Sequence, residues 1–330
     1  MSTREMNDII HERVVWLDVL KGIGIILVVL GHVSSNQIIY QWVYSFHMPI
    51  FFFAAGWLYK KKTILEDLKH RFDTIVIPYL AFGFLVLLYW ELIEKRFRTA
   101  SMSLIEAIVG ILRGQYEYLE FNVHLWFLPA FFVTVIFYNI LRNIGGKKLA
   151  YTMSIIMSLV FCFFTLPSLP WGIDRVFKYI IFFVLGDVLS ENQTKHFTEK
   201  IAMSLKVGCT FILFIINFGL AYYGLTTGVM WYVTATIGVT ACVMLSMIVD
   251  YAKVIQYLGR ISLVVLCVHG PIYRIITKLV SMSLHMSTDA VRKDFLCTMV
   301  IVAITLAICS AGYEILSRYM PWMIGKHSMK

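Results

Sequence analysis

The sequence predicts an all-α, polytopic integral membrane protein with about ten transmembrane helices. Of its 330 residues, 59% are hydrophobic and only 15% are charged, and the mean hydropathy is +0.75. Soluble globular domains are much less apolar than this. Apolar runs that can reach the roughly 20 residues needed to cross a bilayer recur along the whole chain.

The predicted spans are separated by short polar segments. They cover residues 14–34, 41–59, 74–93, 123–141, 149–167, 172–190, 201–222, 229–249, 261–280 and 294–315. No Pro-rich or Ser-rich linker divides the chain, which predicts a single membrane domain over residues 1–330. The first span carries charged residues and lacks a small-residue cleavage pattern, so we do not expect a removed signal peptide.

The distribution of Lys and Arg predicts that both termini are cytoplasmic. Segments on the side of the N-terminus hold eighteen of these residues, and the opposite side holds ten. Cytoplasmic loops accumulate Lys and Arg. The net charge of +9 is spread in short runs between apolar segments. A nucleic-acid binder would gather such charge on one face of a folded domain, so we expect no nucleic-acid partner.

Three connecting segments have apolar patterns of their own. Residues 60–72 and 251–258 repeat apolar residues at helical spacing, and the first of these segments also carries several bases, which predicts helices lying in the headgroup plane. The longest connection, 94–122, is partly apolar and is expected to re-enter the membrane or cover its face. The six cysteines lie in apolar runs without metal-ligand spacing, so we expect packing residues, no disulfides and no metal.

Polar side chains are aligned along the first span. Lys21 and His32 are eleven residues apart, which places them on one helix face, ~16 Å apart along the axis, with Asp18 within ~40° of that face. Lipid tolerates ionisable groups poorly, so the pattern predicts a polar path inside the protein. An imidazole can accept a proton from a hydroxyl, which makes His32 the candidate catalytic base. The alternative is a histidine that only bonds to a neighbouring helix. Small residues that permit close helix packing are Gly22, Gly24 and Gly31.

Other spans supply weaker candidates for an acceptor site or cavity. His47 lies near the outer end of the second span, where it could face the first span across a short turn. His124 and Trp126 open the fourth span; Trp126 could stack on a sugar ring, although anchoring at the membrane interface explains it equally well. His269 lies mid-span close to Pro271, which predicts a broken helix lining a cavity.

Several blocks, taken in order, resemble one known family. The first is DVLKGIGIILVVLGH at residues 18–32, and the second is FHMPIFFFAAG at residues 46–56. Weaker blocks follow at 71–79, 124–131, 182–186 and 258–262, and then His269. Together they resemble the acyltransferase-3 family of integral membrane acyltransferases, and within it the branch similar to fucose 4-O-acetylase.

The resemblance implies ten spans, an acyl-CoA donor on the cytoplasmic side, and His32 as the catalytic residue. The basic residue eleven positions earlier is usually Arg in the family and is Lys21 here. Of a family Arg pair at the third span, Arg71 matches the first member, whereas Thr74 stands at the second. We therefore expect the donor to bind near Lys21 and Arg71, beside Asp18, with help from nearby lysines, which are Lys60, Lys61, Lys62 and Lys69.

The functional hypothesis is an O-acetyltransferase that moves acetyl from cytoplasmic acetyl-CoA to a hydroxyl of a cell-envelope glycan or glycan precursor. His32 acts either as a base or as a transient acyl carrier. Expected partners are membrane lipid, acyl-CoA and the glycan; no cofactor is tightly bound, and the location is a bacterial inner or plasma membrane. The alternatives are a transporter or flippase for a sugar or small anion and a succinyl-transferring relative.

Overall fold

The computed structural model describes residues 14–98, 102–191 and 202–326, and within these ranges the chain is helical and contains no strand. The predicted all-α class is confirmed. The helices are α1 Val15–Val33, α2 Gln37–Tyr44, α3 His47–Trp57, α4 Ile64–Leu92, α5 Leu104–Arg113, α6 Phe127–Phe163, α7 Ile173–Glu191, α8 Met203–Tyr222, α9 Gly228–Ile248, α10 Lys253–Arg260, α11 Ser262–Ser283, α12 Thr288–Lys293 and α13 Phe295–Tyr319.

Eight helical stretches among the described residues are long and apolar enough to cross a membrane. They are α1, α2 with α3, α4, α6 with the 3-10 segment before it, α8, α9, α11 and α13. The predicted spans 123–141 and 149–167 both fall in the single stretch Glu120–Phe163. The predicted span 172–190 corresponds to α7, whose Asp, Arg and Lys residues exclude it from the apolar set. The total of ten spans and the cytoplasmic side of the termini remain predictions.

A pair of glycines divides α6 into two helical parts. Gly145 and Gly146 leave helical geometry, and Gly146 has φ 65° and ψ −157°, a conformation that is essentially restricted to glycine. Just before the pair, Arg142 forms an ion pair with Asp187 of α7 and donates to the Tyr138 hydroxyl at 3.2 Å. This buried contact fixes α7 against α6 at that end.

The predicted second span is two helices rather than one. α2 ends at Tyr44 and α3 begins at His47. Between them the Ser45 hydroxyl donates to the Trp42 carbonyl at 2.7 Å, and Phe46 has a non-helical φ of −147°. The break lets Tyr44 and His47 approach α1 from different helices.

Both predicted surface helices form, at Ile64–Arg71 and at Lys253–Arg260. The first is capped by a Thr63–Glu66 box and continues through a π-turn, Phe72–Val76, into the third predicted span, a continuity that the sequence did not show. α10 packs on α1, where Gly22 and Gly259 bring the two backbones into contact. That contact agrees with the packing role expected for the first-span glycines.

The long connection between α4 and α6 covers α4. Its helix α5 begins with a Ser103–Glu106 capping box and buries one face. The Tyr79 hydroxyl of α4 donates to the Ile111 carbonyl of α5 at 2.6 Å. α5 is therefore fixed against α4, beside the 3-10 segment Glu120–Trp126 that enters the site described next.

Candidate active site

Three histidine side chains from separate elements meet at one end of α1. His32 lies in the last turn of α1, His124 in the segment Glu120–Trp126, and His269 in the middle of α11. Ring centroids are 4.0 Å apart for His32 and His124, 4.2 Å for His124 and His269, and 5.4 Å for His32 and His269. One ring nitrogen of each lies within 4.8 Å of one from each of the others. We call this group the histidine cluster.

Pro271 determines how His124 is held. α11 runs through Pro271 without interruption, so the predicted broken helix is wrong. Because proline has no N–H, the carbonyl four residues earlier, that of Cys267, lacks its helical partner. The side-chain amide of Asn122 donates to that carbonyl at 2.7 Å, and Asn122 Oδ1 lies 2.9 Å from His124 Nδ1. The carbonyl that lacks its helical partner in α11 thereby anchors the segment that carries His124.

Hydrogen bonds also fix which nitrogen of two rings carries the proton. The Asn122 amide nitrogen points to a backbone carbonyl, so its oxygen accepts from His124 Nδ1. His269 Nδ1 lies 2.8 Å from the Val265 carbonyl and 3.0 Å from that of Leu266, both of which can only accept. In the neutral state both rings therefore present Nε2 as an acceptor.

Gly270 provides the space that His124 and Asn122 occupy. A Cβ atom at this position would lie 2.8 Å from His124 Nδ1 and 3.0 Å from Asn122 Oδ1, closer than ordinary van der Waals contact. The histidine cluster thus requires a residue without a side chain at this point of α11.

His32 is held by one side chain at its ring and another at its backbone. The Tyr44 hydroxyl lies 2.9 Å from His32 Nδ1. Gly31 lets the tyrosine approach, since a Cβ there would lie 3.0 Å from the Tyr44 ring. Arg292 donates from Nη2 to the His32 carbonyl at 3.0 Å and from Nε to the Val33 carbonyl at 2.8 Å. These are terminal carbonyls of α1 without helical partners, and a cation is favourable at this end of the helix.

The predicted donor-binding residues lie in the first half of α1, which holds Asp18 and Lys21, and in α4, which holds Arg71. Lys21 Nζ lies 2.9 Å from Asp18 Oδ1, and Arg71 Nε lies 3.3 Å from Asp67 Oδ1. Lys21 and Arg71 line the same cavity, which has a volume of about 240 Å³. The sequence placed Lys21 in the first span and Arg71 in the segment before the third span, and in the structure both residues line one cavity.

The cavity extends from these cations toward the histidine cluster. Its remaining wall is almost entirely apolar and includes Phe51, Phe127 and Leu266. Phe127 is three residues from His124, and Leu266 is three residues from His269, about one helical turn in each case. The cavity is therefore lined by two cations and by residues about one helical turn from His124 and His269, while the three imidazoles themselves do not line it.

A comparison with models of known protein families shows which family the chain belongs to. A model described as an acyltransferase domain matches residues 14–314, most of the chain. The chain belongs to the acyltransferase-3 family. Neither the curated proteins nor the solved structures contain a significant match to it. The family expected from the sequence blocks is confirmed, and the protein is a membrane acyltransferase; the likeness to the fucose 4-O-acetylase branch remains a prediction.

Two further predicted residues of this acyltransferase, His47 and Trp126, make their ring contacts outside the histidine cluster. His47 packs against Tyr44, with ring centroids 4.8 Å apart, and its Nδ1 donates to the Val43 carbonyl at 2.8 Å. Its link to His32 thus runs through Tyr44. The Trp126 ring stacks on Tyr179 at 6.2 Å, and the Arg175 guanidinium lies 5.5 Å from the Trp126 centroid.

Three residues of the acyltransferase site were not predicted from the sequence: Tyr44, Asn122 and Arg292. Pro271 does give one signal, because a proline inside a helix leaves a carbonyl that needs a donor. The sequence does not show that the donor comes from Asn122, 145 residues away. Arg292 is 260 residues from His32 and has the pattern of an ordinary loop base.

Proposed function

We propose that this acyltransferase transfers an acetyl group from acetyl-CoA, bound from the cytoplasm, to a hydroxyl of a cell-envelope glycan or glycan precursor. The observation that carries the proposal is the cavity that Lys21 and Arg71 line together. An elongated thioester whose head is a polyphosphate suits a cavity that has two cations and an otherwise apolar wall.

His32 is the base in this proposal. The Tyr44 hydroxyl contacts Nδ1, and in the tautomer whose Nδ1–H donates to the Tyr44 oxygen, Nε2 is unprotonated and accepts the proton of the acceptor hydroxyl. The hydroxyl oxygen attacks the thioester carbonyl carbon, and the carbon–sulfur bond breaks. The His32 imidazolium then returns its proton to the CoA sulfur. Apolar walls limit water in the cavity and hence hydrolysis of the thioester.

Lys21 and Arg71 have the donor-binding role, and Asp18 and Asp67 orient them. Each cation contacts its carboxylate and also lines the cavity. The lysines that precede Arg71 in the chain are exposed, and their positive charge attracts a polyanionic donor; they are Lys60, Lys61, Lys62 and Lys69. Trp126, with the Arg175 guanidinium 5.5 Å from its ring, suits a sugar and is the candidate for acceptor binding.

The alternative of a transporter or flippase predicts passage of a solute without consumption of a thioester. The family match favours acyl transfer over transport. A succinyl-transferring relative would use the same cavity, and the mass added to the acceptor separates it from an acetyltransferase.

The first experiment measures acetyl-CoA consumption by purified protein in lipid nanodiscs with envelope glycan as acceptor. We expect His32→Gln to abolish transfer while the protein remains monodisperse. The matched control is His285→Asn, because His285 lies in a loop with a positive φ of 53° that Asn adopts readily. If the His32→Gln variant transferred acetyl at the wild-type rate, His32 could not be the catalytic base.

A second experiment tests the acceptor. Envelope glycan from a strain lacking the protein should lose O-acetyl groups relative to the parent, and the His285→Asn variant should restore them. Unchanged O-acetyl content would exclude these glycans as the acceptor. Mass spectrometry of protein incubated with donor alone tests the carrier mechanism, which predicts an acylated His32.

A further inference from the structure

The histidine cluster has the arrangement of a transition-metal site. Metal-binding histidines almost always donate their second ring N–H to a carbonyl, a carboxylate or another oxygen, which fixes the ring. His124 does so toward Asn122, and His269 toward backbone carbonyls of α11. His32 has the Tyr44 hydroxyl at the same ring position. Each of the three rings thus has a hydrogen-bond partner at Nδ1.

The inner side of the cluster contains an unsatisfied acceptor. His269 Nε2 is buried and has no hydrogen-bond partner among the described residues, and the whole residue is 0% exposed. Buried polar atoms nearly always have a partner, so a bare nitrogen in this position indicates a ligand. The lone pair can bind a cation or accept a hydrogen bond.

The spacing suits one small cation. Zinc lies about 2.0–2.1 Å from histidine nitrogens, which places the nitrogens of a tetrahedral site about 3.4 Å apart. The three nitrogens here lie within 4.8 Å of one another. Each would move by less than about 1 Å toward a common centre to reach zinc distances, and rotation of the rings can supply that movement. Imidazole ligands favour zinc, copper or nickel over magnesium or calcium.

We propose that His32, His124 and His269 bind a divalent transition-metal cation of the zinc type, and that a bound cation blocks acyl transfer. The blocking half rests on the proposed function, since the cation occupies the His32 nitrogen that would otherwise take the hydroxyl proton. The binding half stands on the geometry alone. Three imidazoles leave a fourth position for water, and the half-buried His32 side is the route of entry.

Binding is tested with Co²⁺, because tetrahedral Co²⁺ absorbs visible light. Chelator-treated protein in nanodiscs is titrated with Co²⁺, followed by displacement with Zn²⁺. We expect one equivalent bound by the wild type and by His285→Asn. His269→Gln and, as a second variant, His32→Gln should lose the spectrum while remaining monodisperse. Absence of a saturable spectrum in the wild type would overturn the proposal, as would an unchanged spectrum in both cluster variants.

Blocking is tested by the rate of acetyl transfer in the same preparations. We expect Zn²⁺ to abolish transfer with the concentration dependence of Co²⁺ displacement, and a chelator to restore it. Binding together with unchanged or increased transfer would overturn the blocking half. A protein that binds Co²⁺ as expected but transfers no acyl group even without metal would contradict the proposed function and leave the metal site standing.

Discussion

Substitution of Gly270 by alanine should slow the enzyme ~10- to 100-fold without unfolding it. The new Cβ would lie 2.8 Å from His124 Nδ1, 2.9 Å from its Cε1 and 3.0 Å from Asn122 Oδ1. Ordinary contacts begin at 3.4 Å, so His124 and Asn122 must move by about half an ångström or more. Asn122 is tied to the Cys267 carbonyl, so the movement also disturbs that bond. A misplacement approaching 1 Å can cost about 100-fold in rate.

The effect on stability should be small because two changes oppose each other. Alanine in a helix is favoured over glycine by about 1 kcal/mol, whereas overpacking costs about 1–3 kcal/mol. The free energy of unfolding should therefore fall by about 2 kcal/mol at most.

The assay compares the initial rate of acetyl transfer per monodisperse protein, together with the unfolding midpoint. The matched control is Gly219→Ala in α8, where a Cβ meets nothing within 4 Å. We expect the control to keep its rate and the Gly270→Ala rate to fall between ten- and 100-fold. A wild-type rate for Gly270→Ala would refute the idea that close packing of α11 positions His124.

Three further substitutions separate the roles of the two ends of α1. Tyr44→Phe removes the hydroxyl at His32 and should lower kcat about fivefold, with an unchanged KM for the donor, because one hydrogen bond is worth about 1 kcal/mol; a changed KM alone would contradict this. Arg292→Lys keeps the charge but cannot donate to two carbonyls at once. The free energy of unfolding, measured by thermal unfolding, should therefore fall by about 1–3 kcal/mol. Unchanged stability would show that Arg292 does not hold the end of α1. Lys21→Gln should raise the KM for acetyl-CoA about tenfold with kcat nearly unchanged, and steady-state kinetics showing the reverse would remove Lys21 from the donor site.

Local sequence patterns predicted a helix correctly where the pattern lies within a single helix. Lys21 and His32 lie on one uninterrupted helix, as their spacing required. The break between α2 and α3 was missed because hydropathy does not detect two residues that leave helical geometry inside an apolar run. The π-turn at Phe72–Val76 was missed for the same reason.

The candidate site was predicted only in part because its assembly is non-local. His32, His124 and His269 each stood out as polar residues in apolar surroundings. Nothing in their spacing showed that three different elements would bring them within one cluster. Such contacts depend on which helices pack together, and close packing here relies on small residues such as Gly270 and Gly31.

Pro271 has a consequence for the order in which this protein matures. The Cys267 carbonyl becomes available to Asn122 only after α11 has formed and docked beside the earlier segment. A nascent chain that has emerged only as far as α10 therefore lacks the group that orients His124. Catalytic competence should therefore appear late in biosynthesis, and an incomplete chain already in the membrane should be inactive.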